Sequence, residues 1–239
     1  MNPRKLAYLD AIGIEAFETK PSAGIAKSVR EPSPAKVSPS NVAGATGAGP
    51  LDALDWAELR ARVAACTACE LHRTRTQTVF GVGNVKAEWL VIGEAPGADE
   101  DRQGEPFVGR AGQLLNSMLR AIGLKREQVY IANILKCRPP GNRDPKPEEA
   151  QCCAPFLQRQ IVLLGPKVIL VVGRIAAQHL LATQVPLARL RGQVHRYGPL
   201  ATPLVVTYHP AYLLRSPGEK RKAWVDLQFA RTVLEGGAA

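Results

Sequence analysis

Long apolar runs are absent from this 239-residue chain: none approaches the roughly 20 residues that carry a helix across a bilayer, which excludes a membrane-spanning helix. The amino terminus, MNPRKLAYLDAIGIEAF, has charges where a secretion signal needs its apolar stretch, so a cytoplasmic protein is expected. No internal repeat is visible, so repeat architectures drop out as well. Large apolar residues are scarce between Lys20 and Pro50, where KPSAGIAKSVREPSPAKVSPSNVAGATGAGP has too little to bury; residues 19–50 therefore read as a flexible linker. Cysteines are few, five in all, and a reducing compartment disfavours pairing them as disulfides. Metal binding is the alternative they raise.

What is present fits one folded domain, expected over residues 51–239, because 46% hydrophobic residues suffice for a single sizeable core. Residues 1–18 form a candidate short helix with Leu6, Leu9, Ile12, Ala16 and Phe17 broadly on one side; it either docks a protein partner or folds back on the domain. Lys and Arg outnumber Asp and Glu by 31 to 21. Six of these basic and four of the acidic residues precede residue 51, so eight of the ten excess charges belong to the folded part. Such an excess favours a polyanionic partner, since neutralised phosphates release counterions.

Asp55 and Glu58 have capping-box spacing before a helix carrying Trp56, Leu59 and Val63. Short apolar runs at 89–93, 129–135, 168–172 and 204–208 predict buried parallel strands, and helical patterns at 112–122, 147–164, 174–181 and 219–234 fall between and after them. The expected fold is α/β, a three-layer αβα sandwich around a central four-stranded parallel sheet. Ligands of such sheets bind where loops leave the carboxyl ends of the strands.

Two of those loops are unusual. The first runs from Gly93-Glu94-Ala95-Pro96-Gly97 through Glu100 to Pro106-Phe107-Val108-Gly109-Arg110-Ala111-Gly112, with glycines that admit close backbone approach. Gly109 and Gly112 precede a helix whose free N–H groups suit a phosphate, and Arg110 beside them is a candidate contact for a polyanionic partner. The second, His209-Pro210-Ala211-Tyr212-Leu213-Leu214-Arg215, sets a histidine at a strand end. Cys66 and Cys69 form a C-x2-C pair, Cys137 lies far along the chain, and Cys152 and Cys153 are adjacent; spacing alone does not choose between zinc and iron-sulfur.

GEAPGADEDRQGEPFVGRAGQLL, NILKCRPPGNRDPKPEE and HPAYLLR together resemble, in order and spacing, the signature segments of family 4 uracil-DNA glycosylases. The resemblance covers the chain from about Cys66 to the last helix. It implies an enzyme of base excision repair that hydrolyses the bond between uracil and deoxyribose in DNA. It also implies a structural 4Fe-4S cluster on Cys66, Cys69, Cys137 and Cys153, with Cys152 left over. The setting implied is nucleoid-associated, the partner uracil-containing DNA, and the expected state a monomer.

Chemistry then distributes roles. A uracil inside a duplex has to be flipped into a pocket, where Phe107 is the candidate stacking ring. Discrimination from cytosine needs an acceptor for N3–H and a donor for O4, which one amide supplies, and Asn133 is placed for it. By resemblance Glu100 works against thymine. His209 is expected to donate to uracil O2 as a neutral imidazole, helped by backbone at Gly93, Glu94 and Ala95, while Glu94 positions water or stabilises the sugar cation. Leu213, Leu214 or Arg215 is expected to enter the vacated stack. Two rivals remain: a related branch that is trapped covalently on uracil-containing DNA, whose inserted basic loop ends in a histidine missing from CRPPGNRDPKPEE, and a non-catalytic iron-sulfur nucleic-acid-binding module.

Overall fold

Continuous apolar runs become strands buried on both faces, and they set the architecture of the computed structural model, which describes residues 51–236. The expectations for residues 1–18 and 19–50 lie outside the described residues. In chain order the elements are α1 (Trp56–Ala64), β1 (Val82–Gly83), β2 (Trp89–Gly93), α2 (Ala98–Gln103), α3 (Arg110–Ala121), β3 (Tyr130–Asn133), α4 (Pro147–Leu164), β4 (Val168–Val172), α5 (Arg174–Leu180), α6 (Leu187–Leu190), β5 (His195–Tyr197), β6 (Thr202–Thr207), α7 (Pro210–Arg215) and α8 (Lys220–Leu234), with 3-10 turns between some of them.

The sheet has six strands in the order β1-β3-β2-β4-β6-β5, not four. Its centre, β3-β2-β4-β6, is the parallel sheet that the apolar runs predict, and β1 and β5 add antiparallel edges. The edges carry no long apolar run because each has only a short ladder and is partly exposed.

Alternate side chains of each central strand enter opposite layers. Val91, Ile131, Leu170 and Val205 pack under α3 and α8, with Leu115, Met118, Leu119 and Leu227. Leu90, Ile92, Ile169, Val171, Leu204 and Val206 pack under α4 and α5, with Leu157, Ile161 and Ala177. This is the three-layer αβα sandwich. Truncating a fully buried leucine such as Leu115 costs about 2–5 kcal/mol.

Helix α1 starts at the anticipated cap: the Glu58 N–H donates to Asp55 Oδ1 at 2.8 Å and the Asp55 N–H to Glu58 Oε2 at 2.9 Å. Its buried Leu59 and Val63 pack with Phe80 and Phe156 of α4, alongside Cys66 and Cys153. The first cysteine pair is thereby carried to the helix that bears the last two.

From β2 the chain crosses to β3 on one side, then returns past β2 to β4 on the other. The segments that follow β2 and β4 leave toward opposite layers, which opens a crevice at the carboxyl ends of these two strands. Gly93 ends β2, Asn133 ends β3 and Gly173 follows β4.

Candidate active site at the carboxyl ends of the parallel strands

Gly93 is paired with Asn133 across the β2–β3 ladder. A β-carbon on Gly93 would lie 2.4 Å from Asn133 Oδ1 and 2.6 Å from Phe107 Cζ, so the amide, the ring and the glycine backbone enclose one small space. Asn133 is 2% exposed, and its Oδ1 is buried with no hydrogen-bond partner. Leaving such an acceptor bare costs about 1–3 kcal/mol, and buried acceptors are nearly always satisfied in folded proteins.

Phe107 is 7% exposed and has φ +56°, a left-handed backbone that a bulky residue rarely adopts. Its surroundings hold it there. Glu100 Oε1 accepts from the N–H groups of Val108 (3.0 Å) and Gly109 (3.3 Å), and its Oε2 accepts from Gly97 N–H (3.1 Å). Arg126 donates from Nη1 to the Phe107 carbonyl (3.3 Å) and from Nη2 to the Pro106 carbonyl (2.6 Å). Gly112 presses on the same turn: a β-carbon there would sit 1.8 Å from the Phe107 carbonyl oxygen. The loop expected between β2 and α3 therefore contains α2 and is braced by charged side chains; Arg126 carried no sequence signal because it follows an ordinary solvated turn.

His209 caps the start of α7, and the segment predicted as a loop is this helix. The Ala211 N–H donates to His209 Nδ1 at 3.1 Å. With Nδ1 an acceptor, the proton of the neutral ring sits on Nε2. Burial holds the imidazole down at about 4, with Arg215 acting in the same direction and Glu100 opposing, so the ring is neutral at physiological pH. Its centroid lies 5.6 Å from that of Phe107, and a β-carbon on Gly173 would lie 3.1 Å from His209 Cβ and 3.4 Å from Cδ2 of the ring. Asn133 and His209 thus reach the same crevice from different strands, both beside the Phe107 ring.

Glu94 follows β2 and is half-buried. Burial pushes its carboxyl up to about 7; the Asp144 carboxylate adds to this and Arg174 opposes it. Ala95, next along, packs with Leu71, Leu135, Cys137 and Ala150. Arg110 opens α3 exposed to solvent. Leu213 is 1% exposed and belongs to the core under α3, which corrects the expectation that it meets DNA: it anchors α7. Leu214, 36% exposed, and Arg215 remain at the surface. Beside them Tyr212 stacks on Tyr208 with centroids 5.1 Å apart, a pair that the HPAYLLR segment gave no reason to single out.

The cysteines gather at the β3–α4 connection and the start of α4. Cys66, Cys69, Cys137, Cys152 and Cys153 line one open cavity with His72, Arg75 and Lys136. Cys137 Sγ accepts from Arg75 Nη1 at 3.0 Å and Cys153 Sγ from the Lys136 N–H at 3.2 Å, while Cys152 is exposed. Burial raises the thiols of Cys69 and Cys137 and pushes Cys153 up to about 12. Among the described residues no group of three or more His, Cys, Asp or Glu side chains is arranged to hold a metal ion. Lys136, 1% exposed and bonded from Nζ to the Asn133 carbonyl (2.9 Å) and Gln160 Oε1 (2.6 Å), was not foreseen, although a lysine inside the apolar stretch NILKC is a signal for it.

No described helix is long and apolar enough to cross a membrane. A family model described as the uracil DNA glycosylase superfamily matches residues 80–228, which include Gly93, Glu94, Glu100, Phe107, Asn133 and His209. The chain is 49% identical over 162 residues to a type-4 uracil-DNA glycosylase of Archaeoglobus fulgidus, covering 65% of this chain and 81% of the relative. It is 42% identical over 178 residues to the type-4 enzyme of Thermotoga maritima (73% and 92% covered) and 39% identical over 188 residues to that of Sulfurisphaera tokodaii (76% and 84%). With that identity sustained over most of both partners, and the crevice of β2 and β4 built from the matched segments, this chain belongs to the uracil-DNA glycosylase superfamily and, within it, to the type-4 uracil-DNA glycosylases.

Proposed function

We propose that this enzyme removes uracil from DNA by hydrolysis in the crevice between Asn133, Phe107 and His209, leaving an abasic site. The observation that carries the assignment of the pocket is the bare Oδ1 of Asn133 beside the Phe107 ring. A flipped uracil supplies N3–H to that oxygen and O4 to the amide N–H, whereas cytosine presents the reversed pattern and leaves buried groups mispaired. Phe107 stacks on the base, worth roughly 1–3 kcal/mol.

Cleavage leaves negative charge on the uracil ring and positive charge on the sugar. His209 donates from Nε2 to O2 of the departing anion, and its depressed basicity suits a donor that stays neutral throughout. Glu94 in its ionised form stabilises the sugar cation or holds the attacking water. Glu100 supports the Phe107 turn by its three backbone bonds and, by the same placement, stands against a methyl at C5. Gly93 and Ala95 contribute backbone to the base pocket. Arg110, Leu214 and Arg215 face the DNA, and the enzyme works as a monomer near the nucleoid, with any protein partner engaged through residues 1–18.

Cys66, Cys69, Cys137 and Cys153 would hold a 4Fe-4S cluster. A single zinc ion draws four sulfurs to within about 4 Å of one another, whereas a cluster interposes its own body and needs them farther apart. The four thiols line one cavity, as a group bound by all of them requires, and the resemblance to family 4 favours the cluster. The cluster supplies a structural clip between α1, the β3–α4 connection and α4; hydrolysis itself moves no electrons.

The test is excision from a labelled uracil-containing oligonucleotide, read as alkali-labile cleavage. His209→Ala and Glu94→Ala are expected to lose at least a hundredfold in rate with the fold retained; wild-type rates in both would overturn the pocket assignment. A complex stable to SDS would instead favour the covalently trapped branch.

A further inference from the structure

Lys136 is the one lysine among the described residues that is buried, at 1% exposure, and it stands between the two functional regions. Its Nζ donates to the carbonyl of Asn133 at 2.9 Å and to Oε1 of Gln160 at 2.6 Å, both neutral acceptors. Gln160 is itself fixed, donating from Nε2 to the Phe80 carbonyl at 2.9 Å. The Lys136 backbone N–H donates to Cys153 Sγ at 3.2 Å, and the Lys136 carbonyl accepts from the Val79 N–H at 2.8 Å. No carboxylate pairs with it among the described residues, and Lys136 lines the same cavity as Cys137 and Cys153. A buried ammonium with only neutral acceptors is costly unless an anion lies nearby. Ligated thiolates in the cysteine cavity are anionic.

We propose that Lys136 is a positioning residue that couples the cysteine cavity to base recognition: held by the negative charge of a metal-thiolate centre, it fixes the Asn133 carbonyl and hence the amide that reads uracil. This rests on the reading of the pocket given above. Both ends of the coupling are short and rigid. One step from the ammonium is the main chain of Asn133, and Asn133 and Cys137 are only four residues apart, joined by Ile134 and Leu135, both 1% exposed. The Ile134 and Leu135 N–H groups continue the pairing with β2 through the carbonyls of Gly93 and Glu94, so a shift at Lys136 would move the same backbone that frames the base.

The experiment compares Lys136→Met, Lys136→Arg and Asn133→Ala in the iron-containing full chain. Four quantities are read: iron per chain with the visible spectrum, inhibition by free uracil, kcat and KM on a uracil-containing oligonucleotide, and the thermal melt. Lys136→Met is expected to melt cooperatively, to alter the visible spectrum or lower the iron content, and to weaken inhibition by free uracil at least tenfold. It should lower kcat with little change in KM, and Lys136→Arg should recover most of the loss. Wild-type uracil inhibition in Lys136→Met, or an unchanged spectrum and iron content, overturns the coupling. Should that variant fail to fold, Lys136→Gln, which keeps a donor but no charge, is expected to weaken uracil inhibition at least threefold; unchanged inhibition there has the same overturning force. Asn133→Ala separates the two ideas. If it retains wild-type uracil inhibition the pocket reading itself is wrong, and if it loses inhibition while Lys136→Met does not, only the coupling is.

Discussion

Replacing Glu94 by glutamine should make the protein more stable and much less active, and the pH dependence of both effects follows from the structure. Burial and the Asp144 carboxylate raise the Glu94 carboxyl from its ordinary value of 4.5 to about 7. A raised acid binds its proton more tightly in the folded state than in the unfolded chain. Its contribution to stability is therefore fully present below about 4.5 and is lost as pH rises through about 7. The difference of about 2.5 units corresponds to about 3 kcal/mol once both states are ionised, against about 1 kcal/mol at pH 5.

Glu94→Gln removes that ionisation. The variant should gain at most about 3 kcal/mol over wild type at pH 8.5, shrinking to about 1 kcal/mol at pH 5, as read by urea unfolding at the two pH values. Excision should fall at least a hundredfold at pH 8.5. In the wild-type enzyme, kcat/KM should rise with pH along one limb with its midpoint near 7, because the carboxylate is the working form. His209, held near 4, adds no limb above pH 5. Two results would refute this reasoning: equal stability of both proteins at pH 8.5, which denies the buried charge, or an ascending limb that persists in Glu94→Gln, which assigns the titration to another group.

Gly93→Ala places a β-carbon 2.4 Å from Asn133 Oδ1 and 2.6 Å from Phe107 Cζ, so it should reduce excision at least a hundredfold and lower stability by about 1–3 kcal/mol. A steady-state assay and a thermal melt check both, and near-wild-type kinetics would mean that the space is not the base pocket. Cys153→Ala should abolish the visible iron-sulfur absorption of anaerobically purified protein, while Cys152→Ala, at an exposed position, should keep it. The reverse outcome would exchange the two ligands.

The central parallel sheet was legible because buried strands in such sheets are unbroken apolar runs; WLVIG and VILVV coincide with β2 and β4. The edges were not. β1 has two residues and β5 reads HRY, and neither carries a pattern distinct from a loop. Helix α2, ADEDRQ, has no apolar face; it forms because Gly97 and Glu100 close its first turn and Asp101 turns inward to accept from the Thr76 N–H. In the site, residue types were readable, since Asn133, Phe107 and His209 stand at strand ends or between glycines. Their states were not readable. The tautomer of His209 depends on the Ala211 N–H, the turn at Phe107 on Arg126 nineteen residues away, and the burial of Lys136 on Gln160 in α4.

These long-range supports explain how the fold tolerates its active site. A bare Asn133 acceptor, a left-handed Phe107 and a half-buried carboxyl at Glu94 each cost on the order of 1–3 kcal/mol, and all three lie around Gly93. A domain of this size is stable by only about 5–15 kcal/mol, so such a concentration survives only where neighbours leave no cheaper arrangement. Glu100 and Arg126 brace the turn at Phe107, and Lys136 is bonded to the Asn133 main-chain carbonyl. The apolar layers above and below the sheet supply the stability that these three positions forgo. On the proposed reading the site is held in this form before any DNA arrives, so binding energy need not be diverted into building it.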